Sequence, residues 1–544
     1  MVKQDSKYKQ IQQLARQSFG YESLRPGQQE VIAAVVEKHD TLAVMPTGSG
    51  KSAIYQIAAL LIPGTTIVIS PLIALQQDQT EAIEKQNIAE AAIVNSTISA
   101  SEREEAFAEF EGKKLEFLFL APEQFNNEEV LARVRKAKPS LFVVDEAHCI
   151  SEWGHDFRPE YLQLGAVIES LDHPTTLALT ATASPLVRDE IIEKLGMRKP
   201  RIFVRGFNRP NIWLGVQTFH DATEKQNALI HQVSMAEKPG IVYTATRKHS
   251  EEIAEKLRQK RIQAVHYHAG MKAAEREQVQ TAFMTDEVEV IVATTAFGMG
   301  VDKPNVRFVF HYDISDSIDS YYQEIGRAGR DDRQAKAILF YNPDDLNIRR
   351  FFASGGKVNV DEVLQITEAV KKADKPVEPK DLQQQTELSA TKVKKVLNYL
   401  EEAEAVEILP TGEVTTSEGE VNEEQVAQAA VLTQEKQQKF SKSRIEMMRN
   451  YAELQDCRRR FLLNYFGELQ QEPCRFCDNC QAGIVVEDDR QNQPFSLNSI
   501  VIHTNFGKGR VMRYEGDKMV ILFDKVGYKT LAVELVEKML KQLD

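Results

Sequence analysis

A run of four apolar residues, Leu141 to Val144, ends in two adjacent carboxylates, Asp145 and Glu146, followed by Ala147 and His148. An uninterrupted apolar run of this length suits a strand buried on both faces of a parallel sheet. The carboxyl ends of such strands are where open α/β sheets bind ligands. One carboxylate there can hold Mg²⁺ against a triphosphate, and a second can orient a water. The residues that follow include Trp153, His155, Phe157, Arg158 and Tyr161. Aromatic side chains interleaved with a cation suit stacking on unpaired bases. Taken alone, the stretch also fits a strand with a solvated acidic end and a small aromatic core, so the decision rests on the other motifs.

The first of these is Met45-Pro-Thr47-Gly48-Ser49-Gly50-Lys51-Ser52, preceded by the apolar run Thr41 to Met45. Gly48 and Gly50 let the backbone curl so that its N–H groups face a phosphate, Lys51 can reach the β- and γ-phosphates, and Ser52 can ligate Mg²⁺. Ser52 to Leu61 reads as the helix whose N-terminus completes the anion site. Met45 stands where the strict pattern has Gly. Further strand-like runs fall at Thr65–Ser70, Leu115–Ala121 and Thr176–Thr180, separated by helical patterns, and this alternation predicts a parallel α/β sheet. Loops at strand ends carry Ser70-Pro-Leu-Ile-Ala-Leu-Gln-Gln, Ala121-Pro-Glu-Gln and Leu179-Thr-Ala-Thr-Ala-Ser184.

The alternation restarts near residue 206. Strands are expected in Gly240–Thr246, Gln263–Gly270, Glu289–Thr295 and Val306–Tyr312. This second α/β domain has no lysine-bearing phosphate loop, but carries Ala296-Phe-Gly-Met-Gly-Val-Asp302 and Gln323-Glu-Ile-Gly-Arg327-Ala-Gly-Arg330. Arg327 and Arg330 would share one face of a helical turn. Supplied from a second domain, they could neutralise transition-state charge on a phosphoryl group and make hydrolysis depend on domain closure. The plainer reading is a solvated cluster paired with Asp331 and Asp332.

These motifs, in this order, resemble the RecQ family of superfamily-2 DNA helicases over residues 10–355, and the resemblance resumes at the cysteines. Its most specific part is the aromatic loop after Asp-Glu-Ala-His. The resemblance implies two RecA-like domains and an ATP-dependent 3′→5′ DNA helicase active in DNA recombination and repair. It implies adenine recognition by Tyr21, Arg25 and Gln28, phosphate and magnesium ligation by Lys51 and Ser52, and magnesium-holding and water-activating roles for Asp145 and Glu146. Gln323, Arg327 and Arg330 match the last motif, with Arg330 as the arginine finger. Met45 in the phosphate loop is a departure shared with many helicases.

Cys457, Cys474, Cys477 and Cys480 are four of the chain's five cysteines. Four clustered thiolates can close a tetrahedral zinc site, and an iron–sulfur cluster is the other reading. Zinc is preferred because the residues from Cys457 to Glu468, followed by the cysteine cluster, resemble the RecQ zinc module. Cys457 is expected within a helix over Arg444–Tyr465, and Cys149 as a packed thiol. About a hundred residues separate Arg330 from this helix, more than the family has. Short helices at Val360–Lys371, Pro379–Gln384 and Ser389–Glu401, then a hairpin from Val406, outline a winged helix; an acidic helical spacer is the alternative. No winged helix is expected after Cys480. A polar linker precedes a small β unit from Ile500, which resembles the Tudor-like barrel of UvrD/PcrA helicases.

The expected domains are 1–205 and 206–355 (RecA-like), 356–436 (acidic insert), 437–484 (zinc module), 485–498 (linker) and 499–544 (β-barrel). The 544-residue chain carries a net charge of −13, which alone argues against a nucleic-acid partner. Residues 356–436 hold 9 Lys/Arg against 17 Asp/Glu, so one segment accounts for most of the excess. No apolar run approaches the ~20 residues of a membrane span, and the N-terminus lacks a signal-peptide core, so a cytoplasmic protein without membrane association is expected. Its expected partners are single-stranded and 3′-tailed duplex DNA, with a protein partner for the barrel, and its cofactors ATP, Mg²⁺ and Zn²⁺. A DNA-stimulated ATPase that remodels protein–DNA complexes, recruited through the barrel, is the alternative.

Overall fold

The structure, a computed structural model, describes the chain apart from residues 1, 86–87, 96–97, 152–155, 299–302, 355–356, 374, 404, 410–412, 418–421, 469, 471, 486–492, 498, 516–517, 537 and 544. It divides into two compact units, Met1–Leu346 with Met448–Gln493, and Asn347–Met447 with Pro494–Asp544.

The first unit holds two parallel sheets. Strands β1 (Thr41–Val44), β2 (Thr66–Ile69), β3 (Ala91–Val94), β4 (Phe117–Leu120), β5 (Leu141–Val144), β6 (Thr175–Thr180) and β7 (Arg201–Val204) lie in the order β3-β4-β2-β5-β6-β1-β7. Alternate residues Phe117, Phe119, Leu141, Val143, Leu177 and Leu179 belong to one core cluster. Leu118, Phe142, Val144 and Ala178, pointing the other way, are also wholly buried. Helices therefore cover both faces, which is why these strands read as unbroken apolar runs. β3 and β7 fall outside the sequence expectation. Both are edge strands, β3 half-buried and β7 with Arg201 and Ile202 exposed, so their apolar signal is diluted.

The second sheet has six strands, β8 (Ile212–Thr218), β9 (Gly240–Tyr243), β10 (Ala264–Tyr267), β11 (Val290–Ala293), β12 (Phe308–His311) and β13 (Ala335–Tyr341), in the order β10-β11-β9-β12-β13-β8. The four expected strands are present, and β8 and β13 add to them. Gly240 is fixed by packing, since a Cβ there would sit 2.1 Å from the Phe308 ring.

The cysteine-bearing segment docks on the edge strand β8. Arg459 Nη2 donates to Ile212 O at 2.5 Å. Val216 N–H donates to Asp478 at 2.8 Å, and Trp213 Nε1 to Gln481 at 3.1 Å. Phe207 stacks on Phe466 at 4.6 Å, and Tyr465 donates to the buried Asp319 at 2.5 Å. The single helix expected over 444–465 is two helices, Glu423–Ala452 and Arg458–Tyr465. Cys457 is not inside a helix but caps the second one, its Sγ accepting from Arg460 N. The break frees Cys457 from helical geometry, and Asn479 Nδ2 satisfies the carbonyls of Leu454 and Asp456 exposed there.

The second unit contains helices Val360–Lys371, Pro379–Thr386 and Ala390–Glu402, then the hairpin β14 (Val406–Ile408) and β15 (Val414–Thr416). Asn359 caps the first helix in a reciprocal box with Glu362, and Ser389 caps the third. Val377 makes a single bridge to Val414 on the hairpin, and helices and hairpin complete a winged-helix outline around one apolar core. The final β unit comprises β16 (Ile500–His503), β17 (Gly507–Glu515), β18 (Lys518–Phe523), β19 (Gly527–Ala532) and β20 (Leu540–Leu543). They form an antiparallel sheet, β19-β18-β17-β16-β20, over Val501, Val511, Met519, Ile521 and Phe523. A small antiparallel unit thus stands where the barrel was expected, with β19 and β20 at the two ends of the strand order. Most of the expected linker, and the Gly516-Asp517 turn, lie outside the described residues.

Because the fully buried Phe207 ring joins the cysteine-bearing segment to the second sheet, Phe207→Ala is expected to cost about 3–5 kcal/mol. Thermal unfolding followed by release of bound zinc should report a lower midpoint than in the parent protein.

Candidate active site and zinc centre

Strand order places the expected residues together. β1, β6 and β5 are neighbours in register, with Val44 opposite Thr180 and Val144 opposite Ala178. The phosphate loop after β1, the Thr180–Ser184 segment after β6 and the Asp145–Glu146 pair after β5 therefore emerge side by side, with strands ~4.8 Å apart. Gly48 and Gly50 have φ of 81° and 78°, the left-handed turn that an anion-cradling loop requires. Lys51 opens the helix Lys51–Leu61, and its Nζ donates to Met45 O at 3.2 Å. The buried Ser49 Oγ has no hydrogen-bond partner among the described residues. Thr47 and Ser52 are half-buried at the loop's two ends.

Gln28 fixes the loop from behind. Its Nε2 donates to Ser49 O at 3.0 Å and to Gly50 O at 2.9 Å, while Oε1 accepts from Arg25 N at 2.8 Å. A Cβ on Gly50 would fall 2.6 Å from that amide nitrogen, so the close approach requires glycine. In this structure the Gln28 amide is thus engaged with the phosphate loop. Tyr21, stacked on Phe19 at 5.7 Å, and Arg25 are exposed beside it.

Asp145 is deeply buried. Burial, and then the adjacent Glu146 carboxylate, push its carboxyl up to about 7, against the pull of Lys51. A desolvated carboxylate near the loop lysine, with a second carboxylate beside it, makes a donor set suited to a divalent cation, and Ser52 and Asp145 would hold Mg²⁺ there. Glu146 adopts the left-handed region, with φ of 48°, a costly conformation for a non-glycine residue. His148 Nδ1 lies 3.3 Å from Glu146 and 2.9 Å from Thr180 Oγ1, tying the ends of β5 and β6 together. Tyr161 O–H donates to the Asp145 carbonyl at 3.1 Å. Cys149 is the expected packed thiol, wholly buried beside His148 and Asp156.

Of the four DNA-facing candidates, Trp153 and His155 lie outside the described residues. Phe157 is half-buried, with Lys194 Nζ over its ring at 6.0 Å. Arg158 is a strut: Nη1 donates to Pro71 O at 2.9 Å, and Nη2 reaches Asp156 at 3.2 Å. It joins the segment after β5 to the loop after β2.

The arginines arrive from the second sheet. The helix Ile318–Ile325 carries Gln323 and ends at Gly326, so Arg327 and Arg330 sit in the following turn and not on a helical face. Gly329, with φ of 56°, reverses the chain there. Arg327 is buried beside the Tyr243 hydroxyl. Arg330 reaches the phosphate loop, and a Cβ on Gly48 would lie 3.2 Å from its Cδ. Asp331 pairs with Arg307 at 2.6 Å. Two residues that the sequence reading missed hold this turn. Arg209 donates to the carbonyls of Gly326, Ala328 and Gly329, and Asn211 to those of Gly329 and Arg333. Pro210 between them marked a turn, but nothing in the sequence marked its neighbours as donors to a loop more than a hundred residues away. Asp302 and its neighbours at 299–302 lie outside the described residues.

The four cysteines come together in a cluster that could hold one zinc ion. One sulfur from each lies within 4.8 Å of the others. Hydrogen bonds from Cys474 and Cys477, then from the N–H groups of Arg460 and Cys474, drive the Cys457 thiol well below its usual range. Cys474 N–H donates to Cys457 Sγ at 3.2 Å and Cys480 N–H to Cys477 Sγ at 3.5 Å. Such N–H donors favour thiolates, the form that binds metal. Arg458, bonded to Asp478 at 2.6 Å, braces the loop from outside.

Gln28→Ala removes the amide that holds two loop carbonyls, and nucleotide affinity should fall by about tenfold, on the scale of ~0.5–1.5 kcal/mol per bond; fluorescent-nucleotide titration measures it. The purified chain should carry about one zinc and no charge-transfer colour, because Zn²⁺ is d¹⁰. Replacing Cys477 should release the metal and unfold this segment, as metal analysis and circular dichroism would report.

Three family profiles match the chain in this order: DEAD/DEAH box helicase over residues 25–190, helicase conserved C-terminal domain over 224–332, and RecQ zinc-binding over 420–481. The chain is 38% identical over 463 residues to the ATP-dependent DNA helicase RecQ of Pasteurella multocida, covering 85% of this chain and 61% of that protein. It is 34% identical to the ATP-dependent DNA helicase RecQ of Bacillus subtilis, covering 92% of this chain and 72% of the relative. The chain thus spans about three fifths of the first of these relatives. Among solved structures, the DUF1998 helicase MrfA bound to DNA aligns at a TM-score of 0.52 and 16% identity, over 76% of this chain and 59% of that one, a likeness of fold alone. With the zinc-binding profile matched and a relative at 34% identity spanned over 72% of its length, the chain belongs to the RecQ family.

Proposed function

We propose that the chain is an ATP-dependent DNA helicase. It couples ATP hydrolysis to 3′→5′ translocation on single-stranded DNA and to duplex unwinding, in DNA recombination and repair. The observation that carries this reading is Arg330, which reaches from the second α/β domain to Gly48 of the phosphate loop. A hydrolysis site completed by two domains responds to anything that moves one against the other, the basic requirement of a motor.

In this reading Tyr21 and Arg25 receive the adenine, and Gln28 sets the phosphate loop. Thr47 to Gly50 cradle the phosphates, and Lys51 and Ser52 contact them and the magnesium ion. Mg²⁺ held by Ser52 and Asp145 neutralises charge on the triphosphate, and Glu146 orients the attacking water. Gln323 and Arg327 support the γ-phosphate side, and Arg330 stabilises charge developing in transfer. Trp153, His155, Phe157 and Arg158 form the DNA-sensing loop. Arg158 supports this role by linking the carboxylate segment to Pro71, so that strain on the loop is felt at β5. Base stacking is worth ~1–3 kcal/mol, enough to bias such a loop between two positions. The domains expected from sequence are retained as the functional divisions, and the C-terminal antiparallel unit recruits a protein partner. Among the described residues no helix is long and apolar enough to cross a membrane, and a cytoplasmic location accords with a DNA substrate.

Lys51→Ala is expected to lower ATP turnover by at least ~10²-fold while leaving affinity for single-stranded DNA near that of the parent protein. ATPase assays and fluorescence anisotropy separate the two. Arg158→Ala should retain basal hydrolysis but lose most of its stimulation by single-stranded DNA. Strand displacement on a 3′-tailed duplex decides between unwinding and remodelling. DNA-stimulated hydrolysis without displacement would favour an ATPase that only remodels protein–DNA complexes.

A further inference from the structure

His266 on β10 and His268, two residues on, project to the same side of the strand. Their rings lie 5.2 Å apart and within 12° of parallel. Glu251, on the helix Arg247–Gln259, accepts from His268 Nε2 at 3.0 Å. Nδ1 of both histidines is buried without a hydrogen-bond partner among the described residues. Leaving a buried polar atom unmatched costs about 1–3 kcal/mol, and nothing in the nucleotide site or the cysteine centre calls for these rings. Each of the three side chains can bring one donor atom to within 4.8 Å of the other two.

We propose that Glu251, His266 and His268 bind a divalent transition-metal ion such as Zn²⁺, at a site separate from the four cysteines. Imidazole with one carboxylate is a donor set that such ions accept. Three protein ligands leave a position open to water, so this site binds more weakly than a closed thiolate tetrahedron. The Glu251 side chain is 55% exposed, which gives the ion entry from solvent. Donors around tetrahedral zinc stand about 3.3 Å apart, from bond lengths of ~2.0–2.1 Å. The His268–Glu251 pair, at 3.0 Å, is close to this spacing, and the His266 donor lies within 4.8 Å of both. A Cβ on Gly270 would meet both Arg247 Nη1, at 2.8 Å, and His268 Nδ1, at 3.2 Å, so His268 presents Nε2 to the metal. A bound ion would clamp the helix Arg247–Gln259 to the loop that follows β10.

The test is calorimetric titration of ZnCl₂ into the full, tag-free chain already carrying its cysteine-bound zinc. A second equivalent should bind to the parent protein. His266→Ala, at a half-buried strand position, should weaken that binding by tenfold or more while the first zinc is retained. Glu251→Gln, at an exposed position, should do the same and guards against a folding defect in the histidine variant. Absence of a second equivalent in the parent, or unchanged binding in both variants, would overturn the proposal.

Discussion

The structure depends on one approach between its two sheets, the Arg330 side chain lying against Gly48 of the phosphate loop. The loop must turn through the left-handed region twice to point N–H groups at a phosphate, and glycine allows this without strain. The same missing side chain at Gly48 leaves room for a guanidinium from a segment nearly three hundred residues away. In the proposed function each half of the site alone is an incomplete catalyst. One holds the lysine and carboxylates, and the other holds the arginine.

Much of the remaining structure keeps these two halves in position. On the first sheet, the order of β5, β6 and β1 places three loop segments side by side, and His148 with Thr180 laces two of them together. Gln28 secures the phosphate loop from behind through two carbonyls. On the second sheet, Arg209 and Asn211 grip the carbonyls of the turn that carries Arg327 and Arg330. Within that turn the Arg327 and Ala328 N–H groups bond back to the carbonyls of Glu324 and Ile325, and these donors take up the carbonyls that follow. The cysteine centre continues the same chain of support, since its docking on β8 and the Phe207–Phe466 stack hold the edge strand beside Arg209.

What could be read from the sequence followed the strength of the local signal. Leu141–Val144 was legible because a strand buried on both faces leaves no room for polar residues, and the phosphate loop because its glycines and lysine serve a stereotyped geometry. The four cysteines were legible as a metal site from clustering, and zinc from the resemblance to the RecQ zinc module, whereas the helix around them was not. Apolar periodicity runs through residues 444–465, but the backbone breaks so that Cys457 can cap the second helix. Edge strands β3, β7 and β8 were missed, since partial exposure mixes polar residues into their pattern. The arginine turn was expected on a helix because spacing of three is ambiguous between helix and turn, and Gly329 favours the turn. The Gln28 contacts and the Arg209 and Asn211 supports were illegible for another reason. They are long-range hydrogen bonds to backbone carbonyls, which leave no trace in the sequence of the partner.

The central claim is that hydrolysis requires an arginine delivered by the second domain. Pre-steady-state kinetics of Arg330→Ala with saturating ATP and single-stranded DNA test it most directly. The account expects nucleotide binding within a few-fold of the parent protein and a chemical step slowed by roughly 10³–10⁵-fold, the scale of a lost arginine finger. A chemical step that proceeds at the parental rate in this variant would contradict it.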